Sequence, residues 1–425
     1  MADILELADR LWRGEADITD HHPLGSEGGL TEVADGVAYV ASFARVSAFT
    51  TGDGLVLVDT GHALAADRIH AEIRRWAPKG AAGRLHTAVF SHGHVDHVFG
   101  VGIFESEAST QGWPAPTVVA HEAMPARFDR YILTAEYNAI INQRQFGLPN
   151  LTWPTQYRYP DRTYGDHLEF DVGGTAFELH HARGETDDHT WTFVPDRGVL
   201  CTGDLFIWAS PTAGNPQKVQ RYPVEWAAAL RTMSALGAEV MLPGHGFPVV
   251  GRDRVHEALV STAELLESIA GQTIALMNAG ARLNDVIHSV KMPADLLGRP
   301  YLRPVYDDPE FIVRNLWRQY GGWYDGDPSS LKPAPAHDLA RELAELAGGP
   351  SRLAERAEVL LAAGSGADLR LAGHLAELAA LAAPEDAGVH RVRAAVFEAR
   401  ATAETSTMAK GIIGWAARES HRHLP

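Results

Sequence analysis

Three histidines and an aspartate fall within six positions of the segment "VFSHGHVDHVFG", residues 89–100. Imidazole nitrogens and carboxylate oxygens are donors that zinc accepts in proteins, and packing alone rarely needs so many of them together. The apolar residues before Ser91 indicate a strand, and a sharp turn after a strand brings close side chains toward one cavity. We therefore predict that this turn provides metal ligands, namely His92, His94, Asp96 and His97.

Four side chains are too few to hold two metal ions, since each zinc takes about four ligands. Further donors are expected where other apolar runs end beside a glycine. Three positions fit this description: Glu185 in "HHARGETDDH", Asp204 in "LCTGDLF" and His245 in "LPGHGFP".

Short β-rich runs alternate with helical patterns through about the first 250 residues. The runs end in glycine or polar residues, as strands followed by turns do, and they include "GVAYVA", "GLVLVDTG", "TAVFSHGH", "TVVAHE", "GTAFELHHA", "TWTFVP", "GVLCTGD" and "EVMLPGHG". This alternation predicts an α/β fold in which helices cover sheet layers. Residues 124–164 have weak periodicity and many polar side chains, and we predict a loop and a short helix beside the site.

After about residue 255 the strand patterns disappear. Ala- and Leu-rich runs such as "SRLAERAEVLLAAG" and "ADLRLAGHLAELAALAAPED" predict paired helices instead. We therefore predict two domains, an α/β domain over residues 1–255 and an all-α helical domain over residues 256–425.

Composition limits the partners of this 425-residue chain. Its formal net charge of -17 argues against nucleic acid or an anionic membrane as the main partner, and no apolar run of 18 or more residues predicts a membrane span. The acidic start of the sequence and the single cysteine, Cys201, favour a cytoplasmic protein without an internal disulfide. An anionic small-molecule substrate stays compatible, because bound metal ions reverse the local field.

The motif "SHGHVDH", together with "VDTG", "TGDLF" and "PGHG", resembles the signature of metallo-β-lactamase-fold proteins over residues 35–250. That resemblance implies an αββα sandwich, followed here by the all-α helical domain. Glu185 stands where most of the family has histidine, and this resembles the alkylsulfatase branch. Segments such as "VRNLWRQYGGWYDGDPSSLKP" resemble an alkylsulfatase dimerisation domain, which implies a homodimer.

The family resemblance also implies how the donors are shared between two Zn²⁺ ions per chain. His92, His94 and Glu185 would hold one ion, and Asp96, His97 and His245 the other, with Asp204 bridging the two. Asp96 and Asp204 would act in catalysis by orienting the metals and accepting a proton.

The implied function is a binuclear zinc hydrolase that uses a metal-bridging hydroxide on the sulfate ester of a small organic alcohol. A lactone, carboxylic ester or phosphodiester hydrolase on the same scaffold is the alternative, since fold alone does not select the substrate. A metal-binding or helical interaction protein without activity is a third hypothesis, and the intact donor set argues against it.

A sulfate ester needs donors for its charged oxygens, and two polar segments offer them. The candidates, which would make charge-assisted hydrogen bonds to an anion, are Asn138, Asn142 and Arg144 in "YNAIINQRQF" and Asn215, Lys218 and Arg221 in "GNPQKVQRY". Ordinary loop polarity is the competing interpretation of these side chains.

Overall fold

Two β-sheets lie face to face in the first part of the chain, in a computed structural model that describes residues 4–26 and 28–425. The first sheet has the strand order β1 to β7, with β1 (Leu30–Ala34), β2 (Val37–Val40), β3 (Val46–Thr51), β4 (Gly54–Val58), β5 (Leu85–Val89), β6 (Thr117–His121) and β7 (Arg162–Tyr164). The second has the order β13-β12-β11-β10-β9-β8, with β8 (His167–Val172), β9 (Thr175–His181), β10 (Thr190–Val194), β11 (Val199–Ile207), β12 (Val240–His245) and β13 (Val249–Val250).

Helices cover the outer faces of both sheets. The helices of this part are α1 (Ile4–Trp12), α2 (Ala66–Trp76), α3 (Val101–Gln111), α4 (Met124–Leu133), α5 (Ala135–Phe146), α6 (Pro223–Ala235) and α7 (Arg252–Asn278). The predicted αββα sandwich is therefore confirmed.

Strand β4 is apolar at every position after Gly54 because both of its faces are buried. Leu55 and Leu57 pack in the cluster formed with α2 and α3, whereas Val56 and Val58 pack in the cluster between the two sheets. Side chains alternate between the faces of a strand, so a strand covered on both faces needs apolar residues at every position. The same burial holds the carboxyl end of β4 rigidly beside the site.

The carboxyl ends of neighbouring strands place the candidate residues at one edge of the sandwich. Strands β4, β5 and β6 are parallel to one another, and β11 is parallel to β12. Parallel neighbours end on the same side of a sheet. The turn after β5 therefore meets Asp204 in β11 and His245 at the end of β12.

The loop predicted for residues 124–164 is wrong for its first half. Residues 124–133 and 135–146 form the helices α4 and α5, and an irregular segment follows up to β7. The polar residues of α5 are buried toward the site, so the apolar stripe that marks an ordinary surface helix is missing from its sequence. Tertiary contacts, and not the periodicity of the sequence, therefore account for the helical conformation of residues 135–146.

The remainder of the chain is helical, as predicted. Its helices are α8 (Leu283–Ser289), α9 (Ala294–Leu297), α10 (Glu310–Gly321), α11 (Pro328–Leu331), α12 (Ala336–Ala347), α13 (Pro350–Ala363), α14 (Gly366–Ala382), α15 (Ala387–Ala403) and α16 (Thr407–His421). None of the helices described here combines the length and apolar character needed to cross a bilayer.

The hydrophobic core of the sandwich includes residues from both sides of the predicted boundary at residue 255. Helices α7, α8 and α10 contribute Leu259, Val286 and Leu316 to the core of the sandwich, whereas α12 to α15 form a cluster of their own. The proposed boundary lies near the start of α7, and the division into residues 1–255 and 256–425 stays a prediction.

Helix α12 exposes three leucines on one face. Leu339, Leu343 and Leu346 are 52%, 38% and 84% exposed, while Ala340 and Ala344 on the other face are buried. Exposed apolar stripes of this kind are typical of protein interfaces. We expect this face to contribute to the predicted homodimer.

Light scattering at micromolar concentration should therefore give about twice the chain mass of 46.1 kDa. Leu343→Glu should shift the protein to the monomer mass, because a carboxylate would be buried in the contact at a cost of several kcal/mol. Leu64→Glu, at a position 96% exposed in the first part of the chain, is the matched control and should leave the dimer intact. A wild-type monomer would contradict the prediction.

Candidate functional site

Asp59 locks the turn that carries the first four donors. Its carboxylate accepts hydrogen bonds from the Ser91 amide and hydroxyl, both at 2.7 Å, and from His97 Nδ1 at 2.7 Å. Asp59 has a φ of +61°, a backbone conformation that aspartate tolerates better than most residues. Asp59 is the aspartate of the motif "VDTG" and was not among the predicted site residues, although its buried carboxylate positions the whole turn.

One group of donors combines the turn with the second sheet. His92 Nε2 lies 2.7 Å from His94 Nδ1 and 3.4 Å from Glu185 Oε2, and 3.8 Å separate it from Asp204 Oδ2. Glu185 comes from the loop between β9 and β10, and Asp204 from β11. These four side chains offer ligand atoms within 4.8 Å of one another.

The second group contains Asp96, His97 and His245. His97 Nε2 and His245 Nε2 lie 3.7 and 3.4 Å from Asp96 Oδ2, and Asp204 contacts both histidines at 3.4 and 3.3 Å. Asp204 thus lies between the two groups. The structure brings all seven predicted donors together.

Hydrogen bonds on the far side of three rings aim their other nitrogen at the site. His97 Nδ1 donates to the Asp59 carboxylate, and His245 Nδ1 donates to the Phe43 carbonyl at 2.6 Å. The Ser91 hydroxyl is used on Asp59, so its oxygen accepts from His92 Nδ1 at 3.0 Å. In the neutral form of each ring Nε2 then carries the lone pair, which is the form that binds a metal ion.

These donors fit metal ions better than they fit one another. His97 Nε2, Glu185 Oε2 and Asp204 Oδ1 are buried and have no hydrogen-bond partner among the described residues. Buried polar atoms without partners are costly, and a cation offsets that cost. Imidazole and carboxylate donors without cysteine suit zinc.

The carboxylates and imidazoles of the cluster shift one another's pKa values, so protons compete with a metal ion for these donors. Burial lowers the pKa of His245, but Asp204 and Asp96 raise it to about 9. Burial would raise the pKa of Asp204, yet His245 and His97 hold it well below the ordinary value. Metal binding must therefore displace a proton from His245, and apparent affinity should weaken as the pH falls.

Arg221 and Thr212 hold the outer oxygen of Glu185. Glu185 Oε1 accepts from Arg221 Nη1 at 2.6 Å and from the Thr212 hydroxyl at 2.9 Å. Burial would raise the pKa of Glu185, but the charge of Arg221 and the neighbouring His94 lower it well below the ordinary value. This carboxylate stays ionised with Oε2 directed at His92 and His94.

A further layer of support was missed by the sequence analysis. His189 Nε2 accepts from the Asp204 amide at 3.1 Å, and its ring stacks on His92 with 4.8 Å between centroids. Asp188 accepts from the Gly93 amide at 2.9 Å and pairs with Arg127. The crowded segment "GETDDH" was the available signal, but spacing alone does not show which of its side chains are buried.

A cavity of about 190 Å³ opens beside His94 and Glu185. Three of the six predicted substrate-binding residues line it, namely Asn138, Lys218 and Arg221. The other three, Asn142, Arg144 and Asn215, do not. Their assignment as substrate-binding residues stays a prediction.

Asn142 and Asn215 are buried behind this cavity wall. Asn142 Oδ1 accepts from Lys218 Nζ at 3.2 Å, and Asn215 Oδ1 accepts from the Gln217 amide at 2.9 Å. Both asparagines therefore hold residues of the wall in place.

The cavity wall is cationic. Arg127 and Arg221 are paired with carboxylates, but Arg130 and Lys218 have no carboxylate within 4 Å in the described part of the chain. Burial, together with the charge of Arg221, lowers the pKa of Lys218 to about 7. An anion that enters this cavity would relieve the repulsion between these cations.

Two stacked sheets with histidines and carboxylates at one edge define a metal-centre protein of the αββα type. Residues 41–245 match the family described as the metallo-beta-lactamase superfamily, and residues 282–423 match the family described as alkyl sulfatase dimerisation. In these two parts the chain is similar to the metallo-β-lactamase superfamily and, within it, to the alkylsulfatases.

Its relatives agree with this placement. A linear primary-alkylsulfatase from Pseudomonas sp. is 30% identical in an alignment 347 positions long that covers 73% of this chain and 61% of the relative. The alkyl/aryl-sulfatase BDS1 of Saccharomyces cerevisiae is 23% identical over 82% of this chain and 56% of its own length. The chain thus spans less than two thirds of these curated relatives.

A solved structure shares the fold. The stereoselective inverting sec-alkylsulfatase Pisa1 from Pseudomonas sp. superposes with a TM-score of 0.82 at 23% identity, over 93% of this chain and 66% of Pisa1. The similarity extends through the helical region as well as the sandwich.

Asp204→Asn should lower the zinc content of the purified protein from two ions toward none, because its carboxylate faces both donor groups. Asp96→Ala should remove about one ion. Asp187→Asn is the matched control, since Asp187 is half exposed, belongs to neither group and pairs with Arg127. Elemental analysis after gel filtration measures the ratio. Two ions retained in Asp204→Asn would rule out the bridging position.

Proposed function

We propose that this protein is a binuclear zinc hydrolase whose substrate is the sulfate ester of a compact organic alcohol. The observation that carries the proposal is the cationic cavity that opens directly beside His94 and Glu185. Names of the relatives support the choice, since each is described as an alkylsulfatase or alkyl/aryl-sulfatase.

The seven donors would hold the metals in two sets. His92, His94 and Glu185 form one, Asp96, His97 and His245 form the other, and Asp204 is common to both. Two zinc ions bound there would lower the pKa of a coordinated water from about 15.7 toward about 7 and would offset negative charge on the substrate.

Protein side chains would bind and orient the ester. A sulfate monoester carries one negative charge spread over three oxygens, and the ammonium of Lys218 and the guanidinium of Arg130 both lie in the cavity wall. Asn138 adds an amide from α5.

Asp96 is suited to accept the proton released in hydrolysis. Its side chain is 18% exposed, more than those of Glu185 and Asp204 at 5% and 8%. Burial would raise its pKa, but His97 and His245 hold it below the ordinary value. The carboxylate is therefore ionised at neutral pH and partly open to solvent.

A substrate panel tests the reaction class. We expect release of inorganic sulfate from short alkyl and aryl sulfate esters, and at least about 100-fold slower turnover of lactones, carboxylic esters and phosphodiesters of matched size. Asp204→Asn provides the inactive control. Acid release from an ester or lactone without any sulfate release would replace this proposal with the alternative hydrolase.

Lys218 should make substrate affinity depend on pH. Its ammonium is charged below about pH 7 and neutral above it, so the KM for a sulfate ester should rise as the pH increases from 6 to 9. Lys218→Met should raise the KM about 10-fold or more at pH 6, because a charge-assisted hydrogen bond contributes about 1.5–3 kcal/mol.

Two variants complete this test. Lys218→Arg keeps its charge throughout this range, so its KM should stay flat. Lys79→Met, at an exposed lysine far from the cavity, should behave like the wild type. An unchanged KM in Lys218→Met would exclude Lys218 from substrate binding.

A further inference from the structure

The last helix of the helical region, α16, packs directly on α5. Gly411 of α16 lies against the backbone carbonyl groups of Arg144 and Gln145, so closely that a Cβ atom at this position would overlap the Gln145 oxygen. Farther along α16, Arg418 Nη1 donates to the carbonyl of Gly147 at 2.8 Å, just beyond the end of α5. The two helices therefore meet through backbone contacts, which cannot adjust as side chains do.

One face of α5 is directed toward the substrate cavity. Asn138, Asn142 and Gln145 are buried and follow the spacing i, i+4, i+7, so they lie on one side of the helix. Asn138 lines the cavity, and Asn142 accepts from Lys218. Any shift of α5 would therefore move the polar wall that faces the substrate.

The amino end of α16 is anchored to a second segment behind the cavity. The amides of Thr407 and Met408 donate to the carbonyls of Val305 and Tyr306, both at 3.0 Å. The Tyr306 hydroxyl in turn accepts from Gln145 Nε2 at 3.0 Å. Helix α16, the segment at Tyr306 and α5 thus form a closed set of contacts.

We propose that α16 is a positioning element for the substrate cavity, and that Gly411 is the residue that sets how deeply α5 lies against it. This inference rests on the proposed function. It gives the helical region a role in substrate affinity in addition to assembly, although none of the described residues of α16 belongs to either donor group or lines the cavity.

A glycine in the interior of a helix destabilises that helix, so its presence there calls for a structural explanation. Replacing alanine by glycine in a helix interior destabilises it by about 1 kcal/mol, and α16 contains both Gly411 and Gly414. At Gly414 an added Cβ would meet only Ala401, at 3.8 Å, which is an ordinary contact. The close approach to α5 explains Gly411 alone.

This difference provides a matched pair of variants. Gly411→Ala and Gly414→Ala make the same change three residues apart in one helix, and both gain helix propensity. Gly411→Ala should raise the KM for the sulfate ester about 10-fold or more, change kcat less, and keep two zinc ions per chain. Gly414→Ala should match the wild type in all three quantities.

Hydrogen exchange gives a readout that needs no substrate. Amides of residues 138–147 should exchange faster in Gly411→Ala than in Gly414→Ala, because α5 is displaced from its support. If the protein hydrolyses a different ester class, the KM comparison is made on that ester, so failure of the substrate assignment is separate from failure of this inference.

A KM and an exchange rate in Gly411→Ala equal to those of Gly414→Ala would overturn the inference, and so would a loss of zinc that accounts for the loss of activity. If Gly411→Ala does not fold, Arg418→Gln replaces it, with Arg422→Gln, directly after the end of the same helix, as its control. Arg418→Gln should raise the KM about 3-fold and speed exchange near residue 147. No change in either quantity would equally overturn the proposal.

Discussion

Asp204 presents a buried carboxylate to imidazoles from both donor groups, and the arrangement of the sandwich edge depends on this contact. Three carboxylates and four imidazoles share the site, most of them out of contact with water. Burying so much unneutralised charge costs several kcal/mol for each ion, even after the protein relaxes. The same cost makes the site a strong binder of cations, because a divalent metal satisfies atoms for which the described residues provide no hydrogen-bond partner.

Surrounding residues hold each donor in one orientation. Asp59 and the Phe43 carbonyl orient His97 and His245, and Arg221 with Thr212 orients Glu185. These contacts come from several different strands and loops. The double-sheet core holds the strands that carry these contacts, and its strands are apolar because they are covered on both faces.

The guanidinium of Arg221 both lines the cavity and pairs with Glu185, so its charge is not fully available to a substrate anion. Arg221 was predicted as an anion-binding residue and it does line the cavity, yet its guanidinium is already paired with Glu185. Lys218 and Arg130 have no such partner within the described residues, so an anionic substrate would meet them first. A histidine at position 185 would leave Arg221 buried without a carboxylate, and this physical coupling gives a reason for the unusual glutamate in this chain.

The sequence by itself predicted the class of fold and the seven candidate donors that the structure brings together. Residue type and spacing were sufficient for His92, His94, Asp96 and His97, because the turn is short and its geometry is local. Strand motifs were sufficient for Asp204 and His245, because the parallel strands β11 and β12 bring their carboxyl ends to one edge whatever their separation in the chain. Glu185 reaches the same edge from the loop between the antiparallel strands β9 and β10.

Only the tertiary structure decided which polar residues face the cavity and which support it. Residues 135–146 form a helix although their apolar periodicity is weak, since the polar face of α5 is buried against the site rather than exposed. Asp59, Asp188 and His189 were passed over because burial and hydrogen-bond partners, which give them their roles, arise from contacts between distant segments. The contact of α16 with α5 joins positions more than 260 residues apart, and no local pattern in either helix records that they meet.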